Sequence, residues 1–437
     1  MPNVTVDQAK LVLNSFAAIF QNNLVSKDLV TWRKFDNEMN DRNALTVVEQ
    51  VGPRYTVTRT TNGVADLSAG VQDTVFGSEQ FKLQDVFGSS MGWGDFVKIR
   101  DIGAARESEA LKNAALNLAE KIDAYILGFA TLASNNWTGT AGAQVSAFDH
   151  VAAGYTRLKE EGVEDVDVRA VLTYGDKQAL GSAIVSDNAS LPDLGSGVYR
   201  QGFTGSVAGI PTLFTQQLPT LTTGTRTNGA VNGANQGKNY KDVAISPAPG
   251  QYLTQTLVID GLGANATIKD GEVFTLGTGA GTVNAWDNRL GASLGRPQQF
   301  RVIGDTTADG TGAATIRIFP AIIVPGSGTG GDVNVNTAHA TVDKAPADNA
   351  VVTWVGTAST DVKPRLLINK SSIIVNTADL IMPATGTAQR KSLTKVPLSV
   401  RMWQDSVFAT GEHRIRFDVA LTANTNDRRR IVRINGA

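Results

Sequence analysis

The sequence has no cysteine and only three histidines. Without cysteine the chain has no disulfides, no thiolate nucleophile, no iron–sulfur cluster and no Cys-based zinc site. His150, His339 and His413 lie far apart in sequence and form no H-E-x-x-H pair. We therefore expect no catalytic residues, no metal site and no cofactor.

Neither sign of charge is in excess, since 40 Lys and Arg residues face 41 Asp and Glu residues and the formal net charge is -1. This balance argues against a dedicated nucleic-acid binder held by bulk charge. Charged residues make up 19% and hydrophobic residues 42%, which excludes a disordered chain and provides for a packed core. The 44 glycines follow no Gly-X-Y period, so collagen is excluded.

Long hydrophobic runs are also missing. No stretch approaches about 18 consecutive apolar residues, so we expect no membrane contact through a spanning helix. The N-terminus, which begins Met1-Pro2-Asn3-Val4, lacks the basic and apolar regions of a signal peptide. The chain is therefore expected to be soluble and to stay where it is made. Its length of 437 residues corresponds to about three domains.

Two segments have the periodicity of amphipathic helices. In the first, residues 6–29, Phe16 and Phe20 lie on the apolar face, which packs either on its own domain or on a neighbouring subunit. The second covers about 103–133 and would be roughly 45 Å long, which makes it a structural spine. Its apolar residues step by four and three: Leu111, Ala115, Leu118, Ile122, Tyr125 and Phe129.

Strand-like runs surround the spine. Residues 47–59 and 76–87 are β-rich and enclose a polar turn at Asn62-Gly63, which predicts a long two-stranded hairpin. An isolated hairpin is marginally stable in water, so it needs another surface. Farther on, a helix at 148–161, a strand at 169–174 and a helix at 176–185 with Asp176 as N-cap indicate a mixed core.

A composition change marks a second module. Residues 223–239 are rich in Gly, Thr and Asn and are interpreted as a linker or flexible loop. Short β-like runs follow at 252–259, 272–276, 299–303, 314–323 and 351–355, which favours a small antiparallel barrel or sandwich at about 224–360. Runs at 366–375, 398–404, 413–422 and 431–434 then resume the parent domain.

Few patterns suggest binding or chemistry. Gly277-Thr278-Gly279-Ala280-Gly281 lacks the G-x-G-x-x-G spacing and is better explained as a turn. The acidic residues Glu160, Glu161, Glu164, Asp165 and Asp167 lack EF-hand order and favour a solvated face over a cation site. Arg428, Arg429 and Arg430, with Arg433, form a basic patch that either blunts a strand edge or contacts nucleic acid or an acidic subunit face.

The order of these parts resembles the major capsid proteins of tailed bacteriophages with the HK97-type fold, and most of all the P22-like coat proteins. Three stretches carry the similarity, namely 106–132 for the spine helix, 207–221 before the insertion, and 266–276 within it. The resemblance implies an α+β fold with an N-terminal arm (1–45), an extended hairpin loop (46–90) and a peripheral domain with the spine helix (91–147). It further implies a first part of an axial domain (148–223), an inserted antiparallel β-barrel (224–360) and a return to the core (361–437).

The same resemblance implies a non-enzymatic shell protein. Hexamers and pentamers would assemble with a scaffolding protein and a portal protein into an icosahedral procapsid in the host cytoplasm. The procapsid would expand when double-stranded DNA is packaged without sequence specificity. Candidate subunit contacts are Phe16, Phe20, Arg54, Arg59 and Lys82. Candidates facing scaffold or DNA are Arg106, Lys112, Lys121, Arg428, Arg429 and Arg430.

Alternatives stay open from the sequence. The three basic residues of the spine could instead pair with Glu107, Glu109 and Glu120 on the same helix. An encapsulin-type compartment would share the fold, although such shells are usually shorter. A secreted β-rich adhesin would fit the Gly, Thr and Asn content, but the spine helix argues against it.

Overall fold

The computed structural model describes residues 3–39, 45–57, 73–93, 109–163, 167–187, 206–329, 331–406, 413–425 and 428–436. Within these ranges the fold mixes α-helices and β-strands, as predicted. None of the described helices is long and apolar enough to cross a membrane. The helices are α1 (Asn3–Asn23), α2 (Glu109–Ala133), α3 (Phe148–Glu160), α4 (Tyr174–Asp187), α5 (Tyr240–Ala244) and α6 (Gly331–Ala338).

The strands are short and numerous. The first half of the chain contributes β1 (Thr31–Met39), β2 (Leu45–Val51), β3 (Gly77–Leu83), β4 (Val86–Trp93), β5 (Asn136–Thr138), β6 (Val168–Leu172), β7 (Ser206–Val207), β8 (Ile210–Phe214) and β9 (Leu221–Thr222). The next segment contributes β10 (Gly229–Val231), β11 (Gln255–Asp260), β12 (Thr267–Ile268), β13 (Val273–Leu276), β14 (Asn284–Asp287), β15 (Ala292–Pro297), β16 (Gln299–Ile303), β17 (Thr306–Thr307), β18 (Ala314–Phe319) and β19 (Val351–Trp354). The last strands are β20 (Asp361–Val362), β21 (Arg365–Asn369), β22 (Ile373–Leu380), β23 (Thr387–Ser392), β24 (Ser399–Ser406), β25 (His413–Thr425) and β26 (Ile431–Ile434).

The chain divides into two compact units. Unit 1 comprises Met1–Val47, Lys82–Phe129 and Asn369–Asp427. Unit 2 comprises Val48–Phe81, Ala130–Ile368 and Arg428–Ala437. The six-part division expected from the sequence is finer than this and stays a prediction.

Unit 1 is built on a six-stranded sheet with the order β1-β22-β25-β24-β23, in which β4 pairs with β25. β1 runs parallel to β22, while β22, β24 and β4 are antiparallel to β25. α1 covers this sheet, and the ring of Phe16 stacks on Phe417 with centroids 3.8 Å apart. The predicted stripe of α2 is confirmed at Leu111, Ala115 and Ile122, which are fully buried.

Two runs expected to be single strands each form two. The run 76–87 breaks between β3 and β4, where the carbonyl of Asp85 accepts a bond from the Leu421 amide and its carboxylate accepts one from the Tyr125 hydroxyl. The run 366–375 breaks between β21 and β22, where the Asn369 side chain accepts a bond from the Ser371 amide and begins a 3-10 turn. At Asn369 this side-chain acceptor turns the backbone out of its ladder.

Unit 2 contains a second six-stranded sheet with the order β5-β26-β21-β6-β8-β7. α3 packs on it through Val151 and Leu158, which join Leu172 and Ile434 in one buried cluster. The N-cap of α4 is Thr173 rather than the expected Asp176. Thr173 Oγ1 accepts the Asp176 amide at 3.3 Å, and the Asp176 carboxylate accepts the Thr173 amide at 2.9 Å, which is a capping box.

A closed barrel of six strands lies within residues 229–354, in the order β10-β11-β18-β16-β13-β19. Its core contains Phe274, Phe300 and Trp354, together with aliphatic side chains from every strand. Along β11 buried and more exposed positions alternate, as expected for a strand with one face inside a barrel. β9 and β20, which flank the barrel in sequence, pair antiparallel with each other.

The segment 223–239 was expected to be a flexible loop, and this expectation is wrong. It contributes β10 to the barrel and buries Arg226 in an ion pair with Glu272 at 3.0 Å. The guanidinium of Arg226 also lies 4.2 Å from the ring centre of Trp354. The segment is poor in apolar residues, so backbone pairing and this buried ion pair hold it in place.

Candidate interaction surfaces

The apolar face of α1 lies against its own unit. Phe16 and Phe20 are both 0% exposed, and Gln21 on the same helix bonds to Thr394. Exposing two buried phenylalanines would cost about 3–6 kcal/mol. In this conformation the two rings are therefore unavailable to a neighbouring subunit, which corrects their assignment as surface contacts and supports the alternative of docking on the chain's own domain.

A buried carboxylate holds the end of this arm, and no pattern in the sequence indicates it. Asp123 on α2 is 1% exposed and accepts the backbone amides of Val25 and Ser26, each at 2.9 Å. Burial raises the pKa of Asp123 above its ordinary value, while the hydrogen bonds from Ser26 and Val25 oppose that rise. The turn after α1 is thus held at one point on α2.

The spine helix presents two of its three predicted basic residues to solvent. Lys112 and Lys121 are exposed on α2, and neither forms a salt bridge with a carboxylate in the described part of the chain. The pairing expected with Glu109 and Glu120 is therefore not formed there. Arg106 and Glu107 lie outside the described residues.

The hairpin formed by β2 and β3 carries exposed apolar side chains. Val57 is 95% exposed, and Val48, Tyr55 and Phe76 each expose about half of their surface or more, at 56%, 52% and 52%. Arg54 and Lys82, two of the predicted contact residues, are also exposed. Arg59 lies outside the described residues.

The C-terminal arginines do not form one solvent-facing patch. Arg433 is fully buried on β26, where it donates to the carbonyl oxygens of Gly271 and Ser134. Burial lowers the pKa of Arg433 to about 9. The Arg428 guanidinium lies over the ring of Phe319, 4.6 Å from its centre, and Arg428, Arg429 and Arg430 are all partly buried in a 3-10 turn. The expected basic surface is thus largely folded inward.

Of the acidic residues at the end of α3, Glu160 and Glu161 are ion-paired, whereas Asp167 is exposed as expected. Arg296 on β15 lies 2.8 Å from the Glu160 carboxylate and 2.6 Å from that of Glu161. Glu164 and Asp165 lie outside the described residues. No group of His, Cys, Asp and Glu side chains that could hold a metal is found among the residues that the structure describes.

The other patterns are local. Gly277 has a φ of +76°, and a Cβ there would collide with the carbonyl of Gly281, which fits the predicted turn. The imidazole of His150 accepts backbone amides at the start of α3. His413 lies on β25 opposite Trp93 and Ser406.

Gln299 on β16 links the barrel to β5 of the second sheet, and no pattern in the sequence indicates this role. The Gln299 side chain accepts the Trp137 amide at 2.7 Å and donates to the Trp137 carbonyl at 2.9 Å, so it imitates a neighbouring strand. Arg157 donates to the same Gln299 oxygen and to Asn136. Burial lowers the pKa of Arg157 to about 10. No sequence motif identifies such a residue, because a polar residue on a strand gives the same pattern whether its side chain faces solvent or bonds to another strand.

Comparison with solved structures gives distant matches to capsids. One, from Mycobacterium phage Che8, is 10% identical, covers 90% of this chain and 86% of the other, and has a TM-score of 0.41. The capsid structure of cyanophage P-SCSP1u is 10% identical with coverages of 95% and 88% and a TM-score of 0.40. The capsid of a native GTA particle is 10% identical with coverages of 95% and 91% and a TM-score of 0.41. A search of curated protein sequences found no match.

The family assignment comes from a sequence model. The model described as "P22 coat protein - gene protein 5" matches residues 56–431, which is most of the chain. This range takes in the spine helix, the barrel and the strands of both six-stranded sheets except β1 and most of β26. The match decides against the secreted adhesin. The chain therefore belongs to the P22 coat protein family and is a major capsid protein of a bacteriophage.

Proposed function

We propose that this capsid protein assembles through its hairpin, with the HK97-type division into N-arm, hairpin loop, peripheral domain and axial domain and with the barrel as the inserted domain. The observation that supports this most is the hairpin surface. Val48, Tyr55, Val57 and Phe76 expose apolar area that a two-stranded ribbon cannot bury by itself. A second copy of the chain would cover it.

The charge of the chain supports self-association. A net charge of -1 over 437 residues leaves little repulsion between copies. Arg54 and Lys82 lie on the hairpin, so they would meet carboxylates of the next subunit at the edge of the apolar contact.

The inner face would contact scaffold and DNA. Lys112 and Lys121 are exposed and make no salt bridge with a described carboxylate, so they are open to an acidic partner. The rest of the proposal follows the family. A scaffolding protein and a portal protein direct assembly in the host cytoplasm, the shell expands as double-stranded DNA enters, and the chain itself performs no chemistry.

A single substitution tests the hairpin. Val57→Asp places a charge where a neighbour would bury an apolar side chain, so we expect normal monomer folding and at least a tenfold loss of shell formation by sedimentation. The matched control is Leu290→Asp, which also replaces an exposed aliphatic side chain, 77% exposed, but lies outside the hairpin. Equal shell yields from the two variants would overturn the proposal.

A further inference from the structure

The root of the hairpin, residues 73–80, is bonded to a set of elements beside the barrel. We call these elements the hairpin seat: α5, residues 245–254, α6 and His339. At the centre, Val75 is buried among side chains of the seat and of the segment after β18: Tyr240, Val243, Ala244, Ala321, Ile323 and Val335. Residues 73–80 therefore have an apolar anchor at Val75, although the neighbouring Phe76 is exposed.

Glycine is required where the root passes the two tyrosines of the seat. A Cβ at Gly77 would lie 2.8 Å from Tyr252 Cε2 and 2.9 Å from the Tyr240 hydroxyl. These tyrosines bond to each other through their hydroxyls at 3.1 Å, and Tyr240 is fully buried. A side chain at position 77 would therefore have to displace one or both of these rings from their packed positions.

Polar bonds flank this contact on both sides. The Ser246 amide donates to Ser78 Oγ, and the Gly250 amide donates to the Gln80 carbonyl, each at 2.9 Å. Lys241 bridges Asp73 at 2.8 Å and Asp332 of α6 at 2.7 Å. Residues 73, 75, 77, 78 and 80 thus each make a separate contact with the seat.

The other strand of the hairpin reaches the same seat. The Arg54 amide donates to His339 Nε2 at 3.4 Å, and the His339 ring stacks on Tyr240 with centroids 3.6 Å apart. Both strands of the hairpin therefore contact the seat, one at Arg54 and the other at residues 73–80.

The seat also contains strained backbone. Ser246 has a φ of +47° and Leu253 a φ of +53°, a region that non-glycine residues avoid. Such conformations cost about 1–3 kcal/mol each and persist where the surroundings over-determine them, often at functional sites. Leu253 packs on the apolar cluster that holds Val75.

We propose that the hairpin seat is a clamp that fixes the direction of the hairpin in the free subunit and keeps it fixed in the shell. The barrel side of the chain then positions the assembly contact without touching the neighbour. This inference rests on the proposed role of the hairpin in assembly.

The test compares two glycine substitutions. Gly77→Val inserts a side chain against Tyr252, whereas Gly310→Val, on an exposed turn of the barrel module, meets open space. For Gly77→Val we expect the amides of Ser246 and Gly250 to exchange hydrogen at least about tenfold faster, while amides between β11 and β18 keep wild-type rates. Shell yield should fall about tenfold for Gly77→Val and stay unchanged for Gly310→Val.

Lys241→Met is a second variant, which keeps the test decisive if Gly77→Val unfolds the barrel. It removes both ion pairs of the seat and adds no bulk, so we expect the same changes in exchange and assembly with smaller amplitude. If either variant loosens the seat and still assembles like Gly310→Val, the clamp is overturned. If Val57→Asp blocks assembly in the same series, the hairpin contact itself stands, and only the clamp has failed.

A cross-link tests whether the clamp stays closed. Because the chain has no cysteine, Ser78→Cys and Ser246→Cys supply the only two thiols. A short bis-maleimide should join them in the free subunit, and the joined subunits should assemble at the wild-type rate. With a linker whose spacer contains a disulfide, loss of assembly after joining and its recovery after a reductant cleaves the spacer would show that the seat must open and would contradict the proposal.

Discussion

Asp123 connects the arm to the spine through one carboxylate, so its removal should be costly. Asp123→Ala leaves the amides of Val25 and Ser26 without their acceptor, and each buried orphan costs about 1–3 kcal/mol. We expect unit 1 to lose about 2–4 kcal/mol of stability by urea unfolding. The control is Asn117→Ala, an exposed site on the same helix. A loss equal to that of the control would refute the capping role.

His339 makes the hairpin seat sensitive to acid. Burial, with the positive charges of Arg54 and Arg429, lowers its pKa from 6.5 to about 4. Between these values the unfolded chain binds a proton that the folded chain does not, so stability rises with pH across this window and is lost as the pH falls. The contribution is about 3 kcal/mol between pH 7 and pH 4.

His339→Phe keeps an aromatic ring on Tyr240 but removes the titrating group. Urea unfolding at pH 4.5 and pH 7 should show a smaller loss of stability on acidification for the variant than for the wild type. The same loss in both proteins would mean that His339 does not carry the pH dependence.

At the scale of elements, alanine substitutions at two helical glycines should change the stability of the fold in opposite directions. Gly128 in α2 has open space where a Cβ would lie, whereas a Cβ at Gly154 in α3 would collide with Ile434. Gly128→Ala should stabilise the fold by about 0.5–1 kcal/mol, since glycine is a poor helix former. Gly154→Ala should destabilise it by about 1–3 kcal/mol through overpacking. Thermal unfolding should show a higher Tm than wild type for Gly128→Ala and a lower Tm for Gly154→Ala. Shifts of Tm in the same direction would contradict this prediction.

Periodicity predicted the elements whose burial is regular. The stripe of α2 and five strands of the barrel follow from spacing alone, because one face of each is buried along its length. β1 was missed, since Thr31–Met39 is polar and forms through parallel pairing with the distant β22. β10 was missed for a similar reason, because its partners β11 and β19 decide its structure.

The interaction surfaces were predicted less well than the elements. Basic character pointed to Arg433 as a surface residue, but its place in the middle of a sheet buries it. The apolar face of α1 correctly predicted that this helix packs on another surface. It did not distinguish the chain's own domain from a neighbouring subunit. The hairpin seat left no pattern in the sequence, since its contacts join residues more than 160 positions apart.

At the scale of the whole molecule, the described residues bury several arginines together with several carboxylates. Arg157, Arg226, Arg301, Arg365 and Arg433 are all buried, and two of them, Arg226 and Arg365, have buried carboxylate partners in Glu272 and Asp176. Buried pairs specify geometry more than they add stability. We infer that these pairs and the proposed clamp together fix the geometry from which the hairpin would meet a second copy of the chain.

Cryo-electron microscopy of particles made by the full chain together with its scaffolding protein tests this account most directly. It predicts closed icosahedral shells in which the exposed side of each hairpin, including Val57, lies on an adjacent subunit while Val75 and Gly77 stay on their own seat. A shell in which the hairpin touches only its own subunit, or the absence of any closed shell, would contradict it.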